Sequence, residues 1–168
     1  NTYLKKIIFK EVLESNFVKF VGGVNIKDIK STAGSATIFS NKGNFNAPLI
    51  VGADGRNSKT RFFANIKSFF YDYNQAAFVF NISHTLSHHS KALERFFPSG
   101  PLALLPMQNN NKKSSSVVWT VDSQLKEKLL KNKNFYNEFK KKYAQAFGRI
   151  TKTSRPAVYN LNVVSCYE

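Results

Sequence analysis

The feature that most constrains the fold is a series of short apolar segments between Gln75 and Val121, joined by turns rich in Pro, Gly, Asn and Ser. Their β-branched and aromatic residues are typical of strands. Short connections allow only antiparallel neighbours, because a parallel pair needs a long crossover. We therefore predict a mostly antiparallel sheet, with strands at 76–82, 92–97, 102–106 and 115–121 and polar connections at 84–90, 98–101 and 108–113.

Two helices are predicted after the last of these strands. Asp122 or Ser123 can cap the first, which carries apolar residues at 125, 129 and 130. Asn134 can cap the second, and Gly148 can end it. In this second helix one apolar face recurs every four residues, at Phe135, Phe139, Tyr143 and Phe147. The fold class is then α+β, a mostly antiparallel sheet with helices on one side.

The N-terminal third is predicted to mix a helix with short strands. Residues 3–14 alternate apolar and charged positions at helical spacing. Asn57 or Ser58 can cap a short helix that runs through Arg61. The apolar run Leu49 to Val51 predicts a buried strand. Further strands are predicted at 17–20, 24–29 and 35–39 and, from the alternating C-terminal residues, at 157–164.

The chain carries a formal charge of +15, which suggests an anionic partner. Of its 25 basic residues 20 are Lys and five are Arg, whereas readers of nucleic-acid bases favour Arg. The chain is also rich in Asn and Phe, so biased composition with a solvated surface is the favoured interpretation. If the basic residues form a functional surface, an acidic membrane is as good a partner for it as RNA. We expect no nucleic-acid partner.

Several function classes lack their motifs. No apolar run is long enough to span a bilayer, and a single cysteine, Cys166, excludes an internal disulfide framework. Neither a Gly-x-Ser-x-Gly elbow nor a Gly-rich phosphate loop occurs. The three histidines, at 84, 88 and 89, lie in one polar stretch with no nearby acidic or cysteine partner, so surface histidines are favoured over a metal site.

Aromatic residues cluster most densely in the middle of the chain. They could stack on single-stranded nucleic acid, but a core or a pocket wall is the favoured interpretation. The cluster comprises Phe62, Phe63, Phe69, Phe70, Tyr71 and Tyr73.

The turn at Gly52, Ala53, Asp54 and Gly55 admits two interpretations. It can be an ordinary glycine turn after a strand. It can also be a site where glycines let a cofactor approach the backbone while Asp54 accepts hydrogen bonds from hydroxyl groups. Physical reasoning from the residues leaves both open.

Two motifs resemble a known family. The run Leu49 to Ser58, with Arg61 beyond, is similar to the Asp-Gly motif of flavin-dependent aromatic hydroxylases of the p-hydroxybenzoate hydroxylase type. The runs 94–107 and 114–119 resemble the ubiquinone-biosynthesis (2-polyprenylphenol) hydroxylases more specifically. Residues 146–150 and 155–161 also have counterparts there, so the resemblance covers nearly the whole chain.

The resemblance implies a partial FAD-binding domain at 1–62, a substrate domain at 63–155 and a return into the FAD-binding domain at 156–168. It also implies NAD(P)H- and O2-dependent hydroxylation of a polyprenylated phenol, with the redox chemistry carried by FAD. Cofactor contacts are expected at Gly52, Asp54, Gly55 and Arg61. We expect a pocket for the prenyl tail at Phe78, Phe80, Phe96, Leu104 and Trp119, and no catalytic base can be named.

The sequence departs from the family in two places. The Gly-rich dinucleotide fingerprint and the later Gly-Asp motif are absent, so we expect an internal fragment or split gene product that binds FAD weakly or not at all. The expected location is the cytoplasm or the inner face of a membrane, with peripheral membrane association or a complex of the ubiquinone pathway as partners. The alternatives are a non-catalytic lipid- or protein-binding module and a basic nucleic-acid-binding domain.

Overall fold

The computed structural model describes residues 2–108, 112–131 and 135–167. Four helices and nine strands occur in this part of the chain. In chain order they are α1 (Thr2–Glu14), β1 (Ile26–Thr32), β2 (Ser35–Ser40), β3 (Gly43–Ala47), α2 (Lys59–Phe63), β4 (Ser68–His84), β5 (Leu93–Phe97), β6 (Gly100–Pro106), β7 (Ser114–Asp122), α3 (Ser123–Lys131), α4 (Phe135–Tyr143), β8 (Ile150–Thr153) and β9 (Ala157–Cys166).

The chain divides into two compact units. The first comprises residues 1–68 and 166–168, and the second comprises residues 69–165. These boundaries lie later in the chain than the predicted 62/63 and 155/156. Nearly all of β9 belongs to the second unit, in which it pairs with β4. That the first unit is a partial FAD-binding domain and the second a substrate domain stays a prediction.

The second unit is built on one antiparallel sheet. Its strands follow the order β5-β6-β7-β4-β8, with β9 also paired to β4. One row of directly opposed residues runs Arg95, Leu102, Trp119, Phe78 across four strands. All the named pairs are antiparallel, so the predicted α+β class with a mostly antiparallel sheet is confirmed.

One face of this sheet is covered by helices α3 and α4. Alternate residues of β4, β6 and β7 point to this face, where they form a single apolar cluster with the buried residues of the two helices. The closest ring contacts join Phe139 to Phe80, at 4.8 Å between centroids, and Phe135 to Phe78, at 5.1 Å. The apolar face from which α4 was predicted is therefore the face that packs against the sheet and completes the core.

The ends of the helices depend on specific polar contacts. Asp122 caps α3 by accepting a hydrogen bond from the Leu125 amide, at 2.7 Å. Helix α4 ends at Tyr143 and not at Gly148, because Ala144 and Gln145 adopt positive φ. Arg95 donates to the carbonyl oxygens of Lys142 and Tyr143, at 3.3 and 3.1 Å, and so satisfies backbone groups that a helix end leaves open. The predicted cap Asn134 and turn residues 109–111 lie outside the described residues.

The first unit combines α1, the three-stranded sheet β1-β2-β3 and the short helix α2. Ser58 caps α2, as one of the two predicted candidates. The strands predicted at 17–20 and 49–51 are wrong: neither segment is a strand, and Phe17, Leu49 and Val51 are exposed. Apolar runs become strands only when a neighbouring strand pairs with them, and no described strand lies beside these two.

The aromatic cluster in the middle of the chain is not part of a core. Phe62, Phe69, Phe70, Tyr71 and Tyr73 are exposed, and Phe63 is half-buried. The last four of the exposed residues lie in the first half of β4, before residues 75–83, which pair with β7. The prediction of a core position is wrong for these residues, because every residue in that half of β4 is exposed.

The histidine prediction is wrong for two of the three side chains. His84 and His88 are buried, and only His89 is exposed. The Nδ1 of His84 lies 2.7 Å from the Leu86 carbonyl oxygen, and its Nε2 lies 3.0 Å from the Ser115 hydroxyl. The Ser90 amide donates to His88 Nδ1, whose Nε2 faces the Met107 carbonyl at 3.3 Å. These partners suit two neutral rings, with the proton on Nδ1 of His84 and on Nε2 of His88.

Burial lowers the pKa of His84, and it outweighs the opposing effect of the hydrogen bond to the Leu86 carbonyl. A base whose pKa falls on folding binds fewer protons in the native than in the unfolded state below about pH 6.5, its ordinary value. The neutral ring therefore stabilises the fold above that pH, and the contribution is lost as the pH falls through the lower folded value.

No helix in the described ranges is both long and apolar enough to cross a bilayer.

The connection between β5 and β6 depends on Gly100. Phe97 and Gly100 are paired across a two-residue turn of Pro98 and Ser99, and Gly100 has φ +121°. A Cβ at this position would lie 2.5 Å from the Thr120 carbonyl oxygen. The backbone of β7 passes too close for any side chain, so glycine is required at this position.

We predict that Gly100→Ala lowers the free energy of unfolding of the second unit by about 2 to 4 kcal/mol, because it adds both a backbone clash and an unfavourable φ. The measurement is chemical denaturation followed by the fluorescence of Trp119, the single tryptophan of the chain, which is buried in this unit. Ser99→Ala is the control: it removes a buried hydroxyl without a described partner and should leave stability equal or higher. A harmless Gly100→Ala would contradict the argument.

We predict that the stability of the second unit falls as the pH is lowered below about 6.5, and that His84→Asn flattens this dependence while lowering stability at neutral pH. Asparagine can still donate to the Leu86 carbonyl but takes up no proton. The measurement is the denaturation midpoint between pH 7.5 and about 5. His89→Asn, at the exposed position, should leave the slope unchanged; equal slopes for His84→Asn and the unaltered chain would contradict the prediction.

Candidate functional site

The turn that carries the predicted cofactor residues is organised by Asp54. Its Oδ1 accepts a hydrogen bond from the Ser58 hydroxyl, and its Oδ2 accepts from the amide and the hydroxyl of Thr60, at 3.0 and 3.1 Å. Ser58 in turn accepts from the Arg61 amide at 2.9 Å. The carboxylate thus fixes residues 54–60 and the start of α2.

These donors favour the charged form of the carboxyl group. The Ser58 hydroxyl, followed by the Thr60 amide, holds the pKa of Asp54 well below its usual range. Because the folded pKa lies below the unfolded one, the carboxylate stabilises the turn at neutral pH, and this contribution disappears only as the pH falls through the folded value. Three of its roughly four acceptor positions are occupied by this chain, so the main role of Asp54 here is to position the turn.

The two glycines of the turn differ in their surroundings. A Cβ at Gly52 would lie 2.9 Å from the Thr60 methyl carbon, so this glycine allows close packing inside the turn. Gly55 has φ +84°, and no heavy atom lies within 4 Å of the position that its Cβ would take. The main chain at Gly55 is therefore bare on that side, and a ligand can approach it.

A cleft of about 440 Å³ lies in the first unit, beside this turn. One wall is formed by strands β1 and β2 and the other by residues between positions 48 and 66. Gly52, Gly55 and Arg61 line it, which brings together three of the four residues predicted from the motif. Asp54 is not a lining residue, but it accepts hydrogen bonds from Ser58 and Thr60, which are. The volume falls in the range of ordinary small-molecule sites.

The charge in this cleft comes from Arg61. Its Nη2 donates to the Arg56 carbonyl oxygen at 2.8 Å, which fixes the guanidinium next to the turn that precedes α2. A planar cation next to a bare stretch of main chain suits a phosphate or a polar ring edge. The residues present thus fit a portion of a dinucleotide such as FAD, with Arg61 and the Gly55 main chain as the contacts.

Several residues of this site were not named from the sequence. Thr60 supplies two of the three hydrogen bonds to Asp54, and the capping pattern of residues 54–60 could have indicated it. Ile29, Ile66 and Cys166 line the cleft from distant parts of the chain. No spacing rule connects those positions, so no sequence signal could have found them.

The residues predicted as a prenyl pocket are divided between the two faces of the second unit's sheet. Phe78, Phe80, Leu104 and Trp119 are buried together on the helix-covered face. Phe96 is 79% exposed, because it follows Arg95, whose row lies on that covered face, and successive residues of a strand alternate. The structure therefore does not gather the five in one cavity. Their role in binding substrate stays a prediction.

Among the described residues no group of three or more His, Cys, Asp or Glu side chains is arranged to hold a metal ion.

Sequence comparison connects the chain with ubiquinone biosynthesis. It is 37% identical over 119 residues to the ubiquinone hydroxylase UbiL of Rhodospirillum rubrum, a match that covers 70% of this chain and 27% of the relative. It is 29% identical over 124 residues to the ubiquinone hydroxylase UbiM of Neisseria meningitidis, covering 73% of the chain and 26% of the relative. The match to the mitochondrial ubiquinone biosynthesis monooxygenase COQ6 of Schizosaccharomyces pombe is 38% over 90 residues, covering 53% of the chain and 18% of the relative. The chain thus spans about a quarter of the first of these relatives. No family model matches it.

Solved structures agree on the fold. The flavin-dependent halogenase CmlS superposes with a TM-score of 0.63 over 98% of this chain and 30% of its own, at 11% identity. CabE, an aromatic hydroxylase from angucycline biosynthesis, gives 0.55 over 98% of this chain and 34% of its own, also at 11% identity. At such identities the likeness concerns the fold alone. By sequence, the chain belongs to the family of ubiquinone-biosynthesis hydroxylases, and it spans part of the length of these relatives.

Proposed function

We propose that this chain forms part of an FAD-dependent monooxygenase that hydroxylates the aromatic ring of a polyprenylated phenol, using NAD(P)H and O2. The observation that carries the proposal is the 37% identity to a ubiquinone hydroxylase over 119 residues. When bound, a flavin would supply the redox chemistry, since no side chain can activate O2 in this way. The chain's own residues would bind the substrate, orient its aromatic ring and shield the reaction from water.

The first unit would contribute part of the cofactor site. The cleft beside the Asp54 turn supports this, because its volume, its bare main chain at Gly55 and its fixed Arg61 suit a phosphate-containing ligand. Asp54 would act indirectly, by holding the turn in shape. A cleft lined by a single arginine with no further cation would bind such a ligand weakly on its own.

The second unit would contribute the substrate surface. Helices α3 and α4 fill the face that carries Phe78 and Trp119, so a ligand there would have to displace the core. The opposite face carries small and apolar residues: Ala77, Val79, Ala103, Leu105, Val118 and the exposed Phe96. We therefore assign the prenyl tail to this second face, with Phe96 as its most accessible aromatic contact.

We predict weak binding of FAD by the chain, abolished by Gly55→Val because the new side chain would project from the bare main chain into the cleft. The measurement is quenching of FAD fluorescence in a titration with the purified chain. Gly43→Val is the matched control, since Gly43 also has positive φ and open space but does not line the cleft.

Equal binding by Gly55→Val and Gly43→Val would place the flavin elsewhere and contradict the site. Stoichiometric flavin in the purified chain would contradict weak binding. If FAD does not bind even to concentrated protein, the first unit does not contribute to the cofactor site.

We predict that Phe96→Ala weakens binding of a polyprenylated phenol about tenfold and of the same phenol without its tail much less, because burial of an aromatic ring against the tail is lost. The measurement is equilibrium binding of both ligands to the chain in detergent. Leu13→Ala removes an exposed apolar side chain from α1, in the first unit, and should change neither affinity. An equal loss for both phenols would argue against a tail-binding surface at Phe96.

A further inference from the structure

The outward sides of helices α3 and α4 are dense in lysine. Each of the two helices carries three lysines and one glutamate. Both glutamates are already matched: Glu127 lies 3.5 Å from Lys131, and Glu138 lies 2.8 Å from Lys141. The remaining lysines leave this layer with an excess of positive charge over the closed apolar core.

Two adjoining grooves separate α4 from strand β8. They have volumes of about 270 and 280 Å³, and Lys140 and Ile150 line both. Lys152 lines the first groove and Arg149 lines the second. Three cationic side chains, from α4, from β8 and from the connection just before β8, thus line two neighbouring grooves, which we call together the basic groove.

Within the described part of the chain, no acidic side chain compensates the cations of the basic groove. Neither groove is lined by an Asp or Glu residue. The side chains of Lys140, Arg149 and Lys152 make no ion pair or hydrogen bond with another described residue. Uncompensated cations placed around a concave surface attract an anion more strongly than the same charges spread over a convex one.

We propose that the basic groove binds the phosphate of an anionic phospholipid headgroup and that the lysines of α3 and α4 hold the second unit against an anionic membrane. Leu130, 57% exposed on α3 and adjacent to Lys131, can enter the interface between headgroups and acyl chains. The choice of a lipid as occupant rests on the proposed function, because a polyprenylated phenol resides in the bilayer. Lysine is also suited to headgroup phosphates as a point charge, whereas base readout favours arginine.

The test is sedimentation of the full chain with vesicles of phosphatidylcholine alone and with phosphatidylglycerol added. The variant replaces three residues together: Lys140→Gln, Arg149→Gln and Lys152→Gln. We expect the unaltered chain to bind only the anionic vesicles, and the variant to bind them about ten- to a hundredfold more weakly, from the attraction that three basic side chains contribute near such a surface. All measurements are made without flavin, so their outcome is independent of the cofactor experiment.

A matched control removes the same charge from another exposed position of the chain, as Lys5→Gln, Lys6→Gln and Lys19→Gln. This control should keep at least a third of the affinity, as should the variant that retains charge, Lys140→Arg with Lys152→Arg. Equal losses in the groove variant and the Lys5, Lys6 and Lys19 control would overturn the proposal, since net charge alone would then explain binding. The proposal would also be overturned if the groove variant bound vesicles as tightly as the unaltered chain but lost affinity for a single-stranded RNA. Circular dichroism spectra check that each variant is folded.

Discussion

The packing of two phenylalanines of α4 against aromatic residues of the sheet determines much of what the second unit can do. Phe135 contacts Phe78 and Trp119, at 5.1 and 5.6 Å between ring centroids, and Phe139 contacts Phe80 at 4.8 Å. Rings in such tilted and edge-on arrangements add to the free energy of burial. With the other apolar residues of α3 and α4 they cover the part of the sheet that carries Phe78, Phe80 and Trp119, so a binding surface there has to use the other face. They also fix α4, whose outer side then presents its lysines next to β8.

Local sequence signals predicted most of the second unit. The strands between Gln75 and Val121 and both following helices occur where the pattern indicates, because short turns and periodic apolar residues act over a few positions. The face to which each strand residue points was harder to predict from the sequence. Alternation separates Phe96 from Arg95, but it does not tell which of the two sets meets the helices. This is why the predicted prenyl pocket mixed core residues with an exposed one.

Predictions failed where structure depends on partners distant in sequence. The apolar runs at 17–20 and 49–51 have strand composition but no described neighbour with which to pair. His84 and His88 occur in a polar stretch, yet both become buried because Ser115 and the Met107 carbonyl, which lie far along the chain, supply their hydrogen-bond partners. The candidate cleft shows both cases, since its glycine turn was recognisable and its opposite wall was not.

The hydrogen bonds around Asp54 have a consequence for the thermodynamics of binding. All of them join residues between positions 54 and 61, so the shape of the turn is determined within eight residues and needs little support from the rest of the first unit. A loop already ordered in the free protein loses little conformational entropy when a ligand arrives. Since Ala36 is the only buried apolar residue among those described in that unit, such preorganisation would let a loosely packed unit keep a well-defined recognition element.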